Sequence, residues 1–117
     1  MATGTMKNPN PTEKTGSFVA NTGVTVYEFR AKQTGKVVEV HMYATLNNIS
    51  VNPYRIGRIT DVDFPPAILR MLVGAGTVTY QAIRTAYLAY TPEGAIDIYR
   101  SQTSDSVINI DFMYTVD

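Results

Sequence analysis

The segment at residues 36–46 alternates between apolar and mixed side chains more regularly than any other part of the sequence. Its even-numbered residues from Val38 to Leu46 are all apolar, whereas the odd-numbered residues from Val37 to Thr45 include charged, polar and aromatic side chains. A period of two residues places these two sets on opposite faces of a β-strand. The segment therefore predicts a strand with one face in a core and the other facing solvent or a second subunit.

Shorter segments of the same kind recur along the chain, separated by turn residues. The composition also favours strands, because the 117 residues include 15 Thr, 12 Val, 9 Ile and 8 Tyr, which suit a pleated surface. The further strands that we predict are at residues 24–29, 54–59, 66–72, 77–90, 95–99 and 108–116. Their short, regular spacing predicts an all-β antiparallel sandwich or jelly roll of about six to eight strands.

Several local features refine this prediction. Residues 66–72 are compatible with a helix, but a strand is favoured because the glycines of residues 74–76 follow too soon, and these glycines are predicted to form a turn or bulge. Residues 32–35 have the composition of a turn, and residues 100–106 that of a polar loop. Residues 91–94 predict a tight turn, with proline early and glycine last.

The strand at residues 24–29 carries two aromatic residues at alternate positions. Tyr27 and Phe29 are separated by Glu28, and Arg30 follows. In a regular strand the two aromatic side chains share one side and the two charged side chains share the other. We therefore expect Tyr27 and Phe29 on the same face.

The chain is short enough for a single domain with one core. Residues 1–16 hold mainly Thr, Asn, Pro, Gly and Lys, and the prolines at positions 9 and 11 fit neither a helix nor a central strand. We predict a flexible N-terminal arm or linker at residues 1–16 and a β-sandwich domain at residues 17–117.

Charge and composition argue against several function classes. Ten basic and ten acidic residues give a net charge of zero, which does not suit a protein that binds nucleic acid through phosphate contacts. The sequence has no cysteine and one histidine, so a thiolate or histidine-rich metal site is not expected. No apolar run approaches the roughly 20 residues of a membrane span. We expect no nucleic-acid or membrane partner, no metal and no other cofactor.

The sequence also lacks a recognisable catalytic set. His41 is the single imidazole, and no serine lies in a Gly-x-Ser-x-Gly motif. Asp61 and Asp63 would share one side of a strand, but nothing marks them as the paired acids of a glycosidase. We expect no enzymatic activity and assign no catalytic residue.

Five polar and aromatic residues are the candidates for ligand binding. Tyr54, Arg55 and Arg58 lie close in sequence to Asp63, in a region expected to be a loop, and His41 lies on the mixed face of the strand at residues 36–46. Tyrosine offers a rigid ring and a hydroxyl group at low entropic cost, and loops on rigid sandwiches often carry recognition sites. The alternatives are a solvated loop and, for His41, a surface or interface position without a chemical role.

The second half of the chain resembles the C-terminal head domains of receptor-binding proteins from tailed phages. The resemblance rests on residues 56–59, 63–66 and 86–99 and on the terminal alternating strand, with Pro65-Pro66 and Glu93-Gly94 as its two landmarks. It implies a homotrimeric head in the virion, at the tip of a tail fibre or baseplate. Its partners would be other tail or baseplate proteins and a bacterial cell-surface saccharide that is bound without hydrolysis.

The resemblance does not assign a saccharide site to particular residues. Heads of this family often place Trp in the sugar site, and this chain has no Trp, which leaves Tyr or His to stack on a sugar. Two other functions fit the same pattern. One is a structural virion module, such as a baseplate connector or decoration protein, that contacts its neighbours through the mixed face of residues 36–46. The other is a carbohydrate-binding accessory module of a cell-wall enzyme.

Overall fold

A computed structural model describes residues 12–77, 83–100 and 105–116 of the chain. All regular elements in these ranges are β-strands, which confirms the all-β prediction. These ranges hold nine strands, more than the six to eight predicted, because residues 13–15 and 17–20, on either side of Gly16, also form strands. They are β1 Glu13–Thr15, β2 Ser17–Ala20, β3 Val24–Thr34, β4 Val37–Leu46, β5 Tyr54–Thr60, β6 Leu69–Thr77, β7 Ile83–Tyr90, β8 Ala95–Arg100 and β9 Ser106–Thr115.

The strands form two antiparallel sheets packed as a sandwich. The first sheet has the order β1-β3-β4-β9 and the second has the order β6-β7-β8-β5-β2. One corner joins the two sheets where β9 pairs with β6, over the register from Gly74 opposite Asn109 to Thr77 opposite Ser106. All the recorded pairs are antiparallel, as expected for a sandwich built from hairpins and short connections.

The N-terminal segment joins the two sheets at a second place. β1 pairs with β3 in the first sheet, whereas β2 pairs with β5 in the second sheet. Between them, the backbone N–H of Gly16 donates a hydrogen bond to the carbonyl of Ala31 at 2.8 Å. Residues 13–15 therefore belong to the folded unit, which differs from the predicted arm at residues 1–16. Residues 1–11 of that arm lie outside the described ranges.

The alternation of β4 and β9 places their side chains as the sequence predicts. The core-facing side chains include Val40 and Met42 of β4 and Ile108 and Ile110 of β9, and all four are buried. They meet buried side chains of the second sheet, among them Leu88. Burying one such side chain contributes about 1.5–3 kcal/mol before the entropic cost of ordering the chain. The core therefore lies between the sheets, and the outward residues are left for other roles.

The strand β3 departs from the prediction at a bulge. The pairing with β4 shifts between Val26 and Glu28, so Tyr27 is an extra residue in the ladder. Tyr27 is exposed, whereas Phe29 packs on the core, and the expectation that they share a face is wrong. The predicted turn at residues 32–35 is shorter than expected, because β3 continues to Thr34 and pairs it with Val37.

Two further predictions near the strand ends are corrected by the structure. Residues 69–77 form the strand β6, as favoured over a helix, but Gly74 to Gly76 lie inside this strand and pair with β7. Glycine has no side chain to pack, yet the ladders on both sides fix its backbone here. Arg100 ends β8 and is buried, so the predicted loop begins after it, and residues 101–104 lie outside the described ranges.

The turn between β7 and β8 confirms the prediction for residues 91–94. The backbone N–H of Gly94 donates to the carbonyl of Thr91 at 2.9 Å, and Gly94 has φ of +86°, which glycine adopts without strain. The hydroxyl of Thr91 also accepts a hydrogen bond from the backbone N–H of Ala95 at 3.1 Å. This turn fixes the register of β7 and β8 and thus which of their side chains lie opposite each other.

Candidate functional site

Tyr54 and Arg55 lie on β5, as the strand predicted at residues 54–59 requires, and not in the loop expected for the candidate binding residues. The hydroxyl of Tyr54 donates to the carbonyl of Thr22 at 2.6 Å, which ties β5 to the segment before β3. Arg55 faces outward and pairs with Asp97 of β8, with Nε–Oδ1 at 2.8 Å and Nη2–Oδ2 at 3.2 Å. These hydrogen bonds raise the pKa of Arg55. Both side chains therefore already have partners within the chain.

Arg58 lies on the same strand as Arg55 and is exposed. A bulge in the pairing with β8 falls between Arg55 and Gly57, and it turns Ile56 into the core. Gly57 follows with φ of +156°, and a Cβ there would collide with the ring of Phe18 and the backbone of Val19. The bulge is the reason that two arginines three residues apart both face solvent.

Asp63 lies in the loop after β5 and is held by three elements. Lys14 of β1 forms an ion pair with it at 2.9 Å, and Gln33 of β3 donates to its other carboxylate oxygen at 2.9 Å. Together Gln33 and Lys14 lower the pKa of Asp63. Its backbone carbonyl accepts a hydrogen bond from Tyr114 of β9 at 2.6 Å. These contacts fix the loop to the first sheet.

His41 lies on the outer face of the first sheet, between two carboxylates. Its Nδ1 is 2.7 Å from Asp111 of β9, and its Nε2 is 3.1 Å from Glu28 of β3. A carboxylate only accepts hydrogen bonds, so both contacts are satisfied together by the imidazolium, which has two N–H groups. The hydrogen bonds, first to Asp111 and then to Glu28, raise the pKa of His41. We call these three residues the His41 cluster.

The five residues proposed from the sequence occupy separate places in the fold. The hydroxyl of Tyr54 is hydrogen-bonded just before the start of β3, and the carboxylate of Asp63 is hydrogen-bonded near the end of β3. The 11 residues of β3 separate these two points by about 30 Å. His41 faces outward from the first sheet, whereas Arg55 faces outward from the second. The structure therefore does not bring the five residues together as one surface.

The outer face of the second sheet carries a row of exposed apolar side chains that sequence reasoning missed. Leu72 of β6 lies opposite Tyr87 of β7, and Tyr87 lies opposite Tyr99 of β8. Their exposed fractions are 61%, 60% and 41%. We call these three residues the tyrosine row. Directly opposite residues have Cβ atoms about 4.5–5.5 Å apart, so the row is one continuous surface.

A second row runs beside the tyrosine row on the same face. Arg70 of β6 lies opposite Ala89 of β7, Ala89 opposite Asp97 of β8, and Asp97 opposite Arg55 of β5. We call these four residues the arginine row. Because Ala89 has the smallest side chain of the four, a hollow of about 230 Å³ opens above it. Arg70, Tyr87, Leu88, Ala89 and Tyr99 line this hollow.

The sequence indicates that Tyr87 and Tyr99 face outward, but it does not indicate that they are neighbours. Leu88 and Tyr90 are buried, so the alternation along β7 places Tyr87 on the opposite, outward face. Tyr99 is outward by the same rule on β8. The two tyrosines are neighbours because of the register between β7 and β8. The spacing of the apolar residues in the sequence does not provide this register.

Comparison with protein-family models finds no match to this chain, and comparison with curated proteins finds none. Within the ranges described above, no helix has the length and apolar character needed to cross a membrane. No group of three or more His, Cys, Asp or Glu side chains in the same ranges is placed to hold a metal ion.

Proposed function

We propose that this chain is a non-enzymatic receptor-binding module of a phage or prophage tail or baseplate, which attaches the virion to a saccharide on the host cell surface. The observation that carries the proposal is the tyrosine row, which presents two exposed aromatic rings side by side on a sheet. An aromatic ring packs on the apolar C–H face of a sugar, and its hydroxyl group can hydrogen-bond to the sugar. Such a surface suits binding without a chemical step.

The two landmarks of the resemblance to phage head domains also support the proposal. Pro65 and Pro66 lie in the connection between β5 and β6, and Glu93 and Gly94 lie in the tight turn between β7 and β8. By the same resemblance, we propose that the chain acts as a homotrimer with other tail or baseplate proteins as partners.

The test is binding of the purified protein to isolated bacterial cell walls from a panel of species. The walls are used untreated or after oxidation with periodate, which destroys the vicinal diols of sugars. We expect the protein to sediment with untreated walls of at least one species and to be lost from the oxidised walls. We also expect no release of reducing sugar during the incubation, and a mass near that of three chains by light scattering.

Each other outcome contradicts a defined part of the proposal. Binding that survives oxidation would exclude a saccharide receptor, and release of reducing sugar would exclude a non-enzymatic module. A monomer that binds walls would favour the carbohydrate-binding accessory module. A trimer that binds no wall would favour the structural virion module.

A further inference from the structure

Among the residues that the structure describes, the charged side chain beside the tyrosine row that has no ion-pair partner is positive. Arg55 holds the carboxylate of Asp97 through two hydrogen bonds, so the anion of the arginine row is already neutralised. Arg70 is exposed at the other end of that row, and no carboxylate of the described residues forms an ion pair with it. A ligand in the hollow would therefore meet two aromatic rings and one guanidinium group that pairs with no carboxylate in the described part of the chain.

This combination has a defined chemical preference. A guanidinium group is planar and binds a carboxylate or phosphate through two parallel hydrogen bonds. The rings of Tyr87 and Tyr99 offer apolar surface within the same hollow. We propose that the hollow above Ala89 binds an acidic sugar, stacked on Tyr87 and Tyr99, with its carboxylate or phosphate paired to Arg70. This inference rests on the proposed function and names the site and the ligand class.

The opposite face of the molecule shows why charge alone does not make this site. Arg30 on the outer face of the first sheet is also exposed, but it lies opposite His41 of β4, which in turn lies opposite Asp111 of β9. Glu28 and Glu39 lie in the two neighbouring rows of the same face. Arg30 therefore shares its face with three carboxylates, Lys32 and the imidazole of His41, whereas the described residues that line the hollow beside Arg70 include no carboxylate.

Two pairs of matched variants test the proposal. Tyr87→Ala and Tyr27→Ala remove tyrosines that are 60% and 59% exposed, on opposite outer faces. Arg70→Met and Arg30→Met each remove one exposed arginine, on the same two faces. The probes are polygalacturonate, which carries carboxylates, poly(glycerol phosphate) teichoic acid bearing sugar substituents, which carries phosphates, and a neutral rhamnose polymer. Binding is measured by calorimetry with the intact protein, and folding of each variant is checked by urea unfolding.

We expect the wild-type protein to bind at least one acidic polymer and not the rhamnose polymer. Tyr87→Ala and Arg70→Met should each weaken this binding by about tenfold or more, because exposed Tyr and Arg anchors often dominate binding energy. Tyr27→Ala and Arg30→Met should change it by less than about twofold. The choice between the two acidic polymers identifies the anion.

The outcomes separate this inference from the proposed function. Periodate-sensitive wall binding that is unchanged in Tyr87→Ala and Arg70→Met would overturn the site and leave the function standing. Binding to the rhamnose polymer alone would overturn the acidic class of ligand. A change in oligomeric mass in Tyr87→Ala, with wall binding retained, would show that the row is covered by a second copy of the chain. Failure of the wild-type protein to bind any wall or polymer would overturn both proposals.

Discussion

The two outer faces of this sandwich are built on strands of the same kind but present different chemistry. On the first sheet, His41 joins Glu28 of β3 and Asp111 of β9, and Lys32 of β3 pairs with Glu13 of β1 at 3.4 Å. On the second sheet, the tyrosine row is exposed and apolar. Both faces carry ion pairs between strands and exposed apolar side chains, Tyr27 and Met113 among them on the first face. The first face has charged side chains of three neighbouring strands in contact at the His41 cluster, whereas the second has the exposed apolar side chains of three neighbouring strands directly opposite one another.

This difference shows where a binding function is best sought in a small sandwich. Side chains that satisfy one another gain little from a ligand, because binding must first break existing hydrogen bonds. Exposed apolar rings have no such cost, and covering them removes apolar surface from water. The comparison therefore favours the second sheet over the His41 cluster and over Asp63, whose carboxylate already has two partners.

The largest difference in the free energy of unfolding should appear between a substitution on the core side of β7 and one on its outer side. Leu88→Ala creates a cavity in the core and should lower the free energy of unfolding by about 2–5 kcal/mol. Tyr87→Ala, one residue earlier, should lower it by less than about 1 kcal/mol because the side chain is 60% exposed. Urea unfolding of both variants measures the difference. Similar losses would mean that Tyr87 stabilises the fold and is not free for a ligand.

A smaller change in the free energy of unfolding should come from the His41 cluster of the first sheet as the pH rises. The pKa of His41 is raised in the folded state, so the stabilisation by its charge is complete below the unfolded value of about 6.5. It is lost as the pH rises through the folded pKa. Because the cluster is largely solvent-exposed, the loss should be under about 1 kcal/mol. Urea unfolding from pH 5.5 to 8.5 measures it, and His41→Gln should remove the step. A step that persists in His41→Gln would assign it to another group.

The smallest effect should be a change in the pKa of one residue. Asp111→Asn removes the hydrogen-bond partner that contributes most to the raised pKa of His41, so this pKa should move back towards its usual value. Asp97→Asn makes the same substitution on the second face and should leave the pKa of His41 unchanged. Titration of the imidazole resonances by NMR follows both variants. An equal shift in the two variants would contradict the view that the faces are electrostatically separate.

Much of the fold followed from the local pattern. The alternation in residues 36–46 and 108–116 placed the core sides of β4 and β9 correctly, because a strand repeats every two residues. The tight turn at residues 91–94 was also identified, since proline and glycine have strong backbone preferences. The bulge at Tyr27 was not, because one extra residue in a ladder is visible only when the partner strand is known.

The candidate site followed from the sequence only in the types of residue involved. Tyrosine and arginine were expected to carry recognition, but Tyr54 and Arg58 were chosen because they are close in sequence. Lys14 forms an ion pair with Asp63, which is 49 residues away in the sequence. Tyr87 lies opposite Tyr99 because of the register between β7 and β8. Such neighbours are set by tertiary pairing, which a reading of local spacing does not contain.

The division of the N-terminal strand at Gly16 has a mechanical consequence. A pull on the chain at residue 12 reaches β1 first and then β2, and these segments are hydrogen-bonded to β3 and to β5. When the pull acts along the strand, the bonds between β1 and β3 resist first in shear, and the bonds between β2 and β5 resist after them. A tether at this end would therefore be held by backbone hydrogen bonds to both sheets.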